Sequence, residues 1–123
     1  MNVLSVEQRT AVVAALVEGN SIRATCRMTG VAKGTALKLL VELGHACEAY
    51  HRRTVVNLTC RRIQCDEIWS FCYAKQKNVP AKMRGLPGVG DVWTWTALDA
   101  DTKLVVCWLL GDRDAGTASE FIN

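Results

Sequence analysis

Two adjacent acids, Asp66 and Glu67, stand in the middle of a segment rich in β-favouring side chains: Ile63, Ile68, Trp69, Phe71 and Tyr73. That pattern predicts a strand over about residues 62–73. Successive strand residues point to opposite faces, so Asp66 and Glu67 cannot share one solvated side of a sheet. One of the two is expected near a packed surface. A desolvated carboxylate is costly unless it is paired or binds a metal, and this dipeptide is therefore the prime candidate for chemistry.

The rest of the chain divides around that strand. Ser5 is a good helix N-cap with Gln8 three residues on, and a helix through about Glu18 follows, carrying Val12, Val13, Leu16 and Val17 on its apolar stripe. Gly19 and Asn20 end it, and Ser21 caps a second, short helix to about Met28. Thr29, Gly30 and Val31 make a turn. A third helix is predicted from about Lys33 to about Tyr50, with Ala36, Leu39, Leu40, Leu43 and Cys47 facing inward. Residues 1–53 form the first domain, residues 54–61 read as a linker, and residues 62–123 form the second.

After the acidic strand comes a loop holding Pro80, Pro87, Gly85, Gly88 and Gly90 beside the cations Lys75, Lys77, Lys82 and Arg84. Two further strands, about Asp91–Leu98 and Lys103–Leu110, are joined by a turn over Asp99–Thr102. Residues from Ala115 start a last helix. Trp93 and Trp95 share one parity of their strand; Leu104, Val106, Trp108 and Leu110 share one of theirs. Such faces need cover, and little is in sight. The chain is therefore expected to be truncated.

At 123 residues the chain has room for one domain or two very small ones, and half of its residues are hydrophobic, enough for a core. No run approaches the roughly 20 apolar residues of a membrane span, and Glu7, Gln8 and Arg9 interrupt any early secretion signal. A cytoplasmic location without membrane partners is expected. The six cysteines lack zinc spacing and are expected to be reduced and mostly buried. Met28 is expected to fill core. Charge is uneven: residues 1–64 hold nine Lys/Arg against four Asp/Glu, and residues 65–123 hold six against eight. A basic first part and an acidic second part suggest different partners.

A short helix, a turn with Gly30, small Cys26 four residues before that glycine, and a following helix make a candidate helix-turn-helix. There the third helix enters the major groove of double-stranded DNA, and Lys33, Gly34, Thr35 and Lys38 meet base edges. Arg23 and Arg27 on the second helix, with Arg52 and Arg53 at the end of the third, are candidates for phosphate contact. Ala32 at the N-cap and Gly34 in the first turn weaken the match. The alternative is a small helical bundle with ordinary solvated Lys and Arg. For the acidic strand, Asp66 can hold a hard divalent ion such as Mg²⁺, but two-metal phosphoryl transfer needs carboxylates from separate strands. Asp99 and Asp101 are read as turn residues, and Asp112 and Asp114 as caps of the last helix. The alternative for Asp66 and Glu67 is an edge-strand charge that blocks aggregation.

The blocks Ser21–Thr25, Thr29–Lys33, Asp66–Phe71 and Gly90–Val105 resemble small bacterial insertion-sequence transposases, in particular the family named after insertion sequence one. The resemblance runs from about Val3 to Phe121. It implies an α+β chain: an N-terminal helix-turn-helix, then the first three strands of a ribonuclease-H-like domain of a DDE-type enzyme. It makes Asp66 the first catalytic acid and a ligand of Mg²⁺. The family's other two acids have no counterpart before Asn123, and Cys65 stands where an aliphatic residue is expected. The implied activity is DNA transposition by the full-length enzyme: binding of terminal inverted repeats and metal-dependent strand transfer, with a homo-oligomer in the active complex. This chain alone is expected to be inactive in strand transfer. A non-enzymatic repressor derived from a truncated transposase is the alternative.

Overall fold

Ser5 opens the first helix, α1 (Val6–Val17), as a full capping box: the Gln8 N–H donates to the Ser5 hydroxyl at 3.2 Å, and the Ser5 N–H donates to Gln8 Oε1 at 3.0 Å. The Ser21 hydroxyl accepts the Ala24 N–H at 3.1 Å and starts α2 (Ile22–Thr29). Gly30, at φ 72°, ends α2 in the left-handed conformation that a glycine adopts without penalty, and its N–H donates to the Cys26 carbonyl. The third helix, α3 (Lys33–Thr54), starts at Ala32 with no side-chain cap. The computed structural model describes residues 3–123, which divide between Val56 and Asn57 into two compact units.

Val12, Val31 and Ala36 form the core of the first unit, with Leu4, Leu16, Cys26 and Leu39 packed around them. Several expected core residues lie outside it. Val17, Met28 and Leu40 are substantially exposed and Cys47 is on the surface. Val17 and Met28 stand in the last turns of α1 and α2, and the core engages the 22-residue α3 only as far as Leu39, which leaves Leu40 and Cys47 beyond it. The helix also continues past Tyr50, because His51, Arg52 and Arg53 favour a helix C-terminus and nothing there breaks the pattern.

The second unit is an antiparallel three-stranded sheet in the order β1-β2-β3, with β1 (Ile63–Cys72), β2 (Gly90–Asp99) and β3 (Val105–Gly111). Asp66 pairs with Thr96 and Glu67 with Trp95; Thr96 in turn pairs with Trp108. One sheet face thus carries Cys65, Glu67, Trp69, Trp93, Trp95 and Leu109, and the other carries Asp66, Ile68, Thr94, Thr96, Trp108 and Leu110. A last helix, α4 (Ala115–Ile122), lies on the first face, with Phe121 5.8 Å from Trp95. The expected alternation from Leu104 through Val106 to Trp108 is interrupted, and Leu104 lies outside β3. A register shift at Ala97/Leu98 pairs Leu98 with Val105 and Ala97 with Cys107, so Val106 is an extra residue and alternation restarts after it.

The turn after β2 is built on Asp99. Its carboxylate accepts the Thr102 hydroxyl at 2.6 Å and the N–H groups of Thr102 and Asp101. The loop between β1 and β2 is tied down by buried Val79 and by Asp91, which accepts the Gln76 N–H at 2.8 Å. All six cysteines are free, but only Cys26 and Cys60 are half-buried and the other four are exposed, against the expectation of buried thiols. The sheet is short of covering layers, so strand cysteines have nothing to bury against. No helix among the described residues is long and apolar enough to cross a membrane.

Candidate nucleic-acid interface

The first two turns of α3 present Lys33, Gly34, Thr35 and Lys38, all exposed, while Ala36 between them is fully buried. At 100° per residue Gly34 and Lys38 point away from the core, and Lys33 and Thr35 flank them on either side. Glycine at position 34 leaves open space where a side chain would project. The helix can therefore approach a surface closely at its N-terminal end. The N-terminal end of a helix also carries partial positive charge from its unpaired N–H groups, which suits an anionic partner.

A cleft of about 450 Å³ runs beside this end of α3, lined by Leu4, Arg9, Thr35, Lys38, Leu39 and Glu42. Arg9 was not singled out by sequence. Its Nε donates to the Leu4 carbonyl at 3.2 Å, which holds the side chain by the segment preceding α1. The signal was available: with Ser5 fixed as N-cap, Arg9 falls one turn in, beside α3 in the folded unit.

Arg23 and Arg27 are exposed on α2. Arg52 and Arg53 lie about 28 Å along α3 from Lys33, nineteen residues away at roughly 1.5 Å each. Arg52 donates to Glu48 at 2.7 Å, and the Arg53 guanidinium lies 5.7 Å from the Tyr50 ring. A helix entering a groove by its N-terminus leaves that far end outside. The structure thus groups Lys33, Thr35, Lys38 and Arg9, and separates Arg52 and Arg53 from them.

Asp66 is exposed, and β1 is an outer strand of the described sheet. The Ala100 N–H donates to the Arg62 carbonyl, so alternation turns the N–H of odd-numbered β1 residues toward the open edge. There the Glu67 N–H donates to Asp66 Oδ1 at 2.8 Å. Glu67 points to the opposite face, half-buried, with one oxygen 4.0 Å from Arg113. The packed acid is therefore Glu67, not Asp66.

A Mg²⁺ site would need several oxygen ligands around Asp66. Among the described residues no three His, Cys, Asp or Glu side chains gather where they could hold a metal. Most other acids of this unit have local partners. Asp99 holds its turn, Asp101 accepts from Arg62 at 2.7 Å, and Asp91 accepts from Gln76. Asp114 caps α4 by accepting the Thr117 N–H, while Asp112, expected to share that role, instead offers its carbonyl to the Trp95 indole. The residues present do not make a Mg²⁺ site, and no strand-transfer step follows from them.

Three carboxylates are held below their ordinary range: Asp99 chiefly by the Thr102 hydroxyl, Asp114 by the Thr117 N–H, and Glu7 by its own backbone N–H and then the Ser5 hydroxyl. Asp99 serves a turn and Asp114 a helix cap. Partial burial pushes the Cys107 thiol up, aided by Cys65 across β2. Comparison with protein-family models, with curated proteins and with solved structures finds no match to this chain.

Proposed function

We propose that the chain binds double-stranded DNA through a helix-turn-helix formed by α2, the Gly30 turn and α3. The observation that carries this reading is the basic, glycine-opened N-terminal end of α3, displayed beside a core that needs none of its outward residues. In this reading Lys38 and Thr35 meet base edges, Lys33, Arg23 and Arg27 meet phosphates, and Arg9 reaches the backbone from the flank. Arg52 and Arg53 take no part in the same groove.

The resemblance to insertion-sequence-one transposases supplies the setting: recognition of an element's terminal inverted repeats by a protein that acts as a homo-oligomer. In that setting the sheet would be the opening strands of a ribonuclease-H-like domain, with Asp66 as the first catalytic acid. The alternative within this setting is a non-enzymatic repressor that occupies the repeats without cutting them.

The test is selection from a randomised duplex pool, followed by titration of the enriched duplex at several salt concentrations. An enriched motif is expected, with log K falling linearly against log salt. Lys38→Ala should relax sequence preference and weaken binding roughly tenfold. Lys33→Ala should weaken all duplexes alike and reduce the salt slope by about 0.9. No enriched motif, or unchanged binding by both variants, would contradict the proposal.

A further inference from the structure

The first face of the sheet holds a second group of aromatic and cationic side chains, in the other unit from α3. Trp69 is 40% and Phe71 46% exposed, on the same face of β1, with ring centroids 5.7 Å apart. Trp93 lies directly across from Trp69 on β2. A cation sits on each side of this group: Lys75 Nζ is 5.3 Å from the Trp69 ring, and the Arg113 guanidinium 5.1 Å from the Trp93 ring. α4 covers Trp95 with Phe121, whereas Trp69 and Phe71 remain open.

Large aromatic side chains left together on a surface mark an interaction site. The choice of occupant follows from charge. A covering apolar helix would want the rim neutral and the rings free of cations. Here Lys75 begins a loop that also carries Lys77, Lys82 and Arg84. Of the acids nearby, Glu67 lies toward Arg113, Asp91 accepts the Gln76 N–H and Asp114 caps α4, while Asp112 is next to Arg113 in the chain. Rings for stacking, with positive charge beside them, are the combination that holds unpaired nucleotides. Each base stacks on a ring, and its phosphate meets a cation.

We propose that Trp69 and Phe71, with Trp93, Lys75 and Arg113 around them, form a binding site for single-stranded DNA. Bases stack on the two exposed rings, and phosphates lie along the Lys75 and Arg113 side. This site is distinct from the duplex surface of α3 and stands without it. It shows no base-edge readout, so its binding is tolerant of sequence.

The experiment titrates the full chain with a fluorescently labelled 15-nucleotide oligo-dT, reading anisotropy and tryptophan quenching, with a separate duplex arm. Saturable binding with quenching is expected. Trp69→Ala and Phe71→Ala should each weaken oligo-dT binding about tenfold, since a lost base stack is worth that order. Both side chains are exposed, so far-UV and near-UV circular dichroism should confirm an intact fold. Lys75→Glu should flatten the salt dependence by at least about 0.7, the share of one single-strand phosphate contact. Duplex binding should be unaltered in all three variants. Absence of saturable oligo-dT binding, or equal binding by the wild type and all three variants, would overturn the proposal. Either result would leave the duplex arm to judge α3 separately.

Discussion

The helical unit closes a small core of its own, although Val17, Met28 and Val41 stay exposed, whereas the sheet unit leaves apolar residues open on both of its faces. In the first, Val12 and Ala36 are fully buried and the outward side of α3 begins with Gly34 and Lys38. In the second, the buried apolar set is only Val79 and Ala97, while Ile68 is 58% and Leu110 60% exposed. A unit that satisfies its own core can offer its surface to a ligand without rearranging. A sheet with both faces partly open depends on what binds it. The contrast explains why the duplex reading rests on the helices and the single-strand site on the sheet.

Removing side-chain volume should separate the two units most sharply. Val12→Ala should cost the helical unit about 2 kcal/mol, from lost burial plus the cavity left behind. Ile68→Ala, an equal or larger deletion, should change sheet stability by less than about 0.5 kcal/mol, because the side chain faces solvent. Urea unfolding followed by far-UV circular dichroism measures both. Equal costs would break the contrast.

Thr25 sharpens it from the other direction. This residue is fully buried in the helical unit, and its hydroxyl finds no hydrogen-bond partner among the described residues. Thr25→Val keeps the shape and removes the unsatisfied group, and should stabilise the unit by about 1 kcal/mol in the same unfolding experiment. A loss of stability would mean the hydroxyl is satisfied.

The smallest effect is expected at the Asp99 turn of the sheet. Its carboxylate is held below the ordinary value, so the stabilisation it contributes is present above the unfolded-state value and lost as pH falls through the folded-state value. Thermal melts should show the wild type above Asp99→Asn at neutral pH, with the gap closing under acid conditions. A gap that widens on acidification would reverse the assigned sign.

Local signals in the chain were readable, and non-local ones were not. The Ser5–Gln8 box, the Ser21 cap, the Gly30 turn and the Asp99 turn each depend on residues within a few positions of one another, and each is found where the residue chemistry places it. The edge position of β1 depends on strand pairing across the sheet, which residues near Asp66 do not encode. The extra residue at Val106 carries no glycine or proline to announce it. The cysteines misled because their usual burial was assumed, while this sheet has too little covering it. Arg9 and the Trp69 cluster were missed for a related reason: their neighbours come from other elements.

The most direct measurement is a two-dimensional amide NMR titration of the full chain with the selected duplex. The central claim predicts saturable shifts clustered at Lys33, Gly34, Thr35 and Lys38, with Arg52, Arg53 and the sheet residues Ile68 and Trp108 unmoved. Shifts centred on Arg52 and Arg53, or spread evenly over both units, would contradict it.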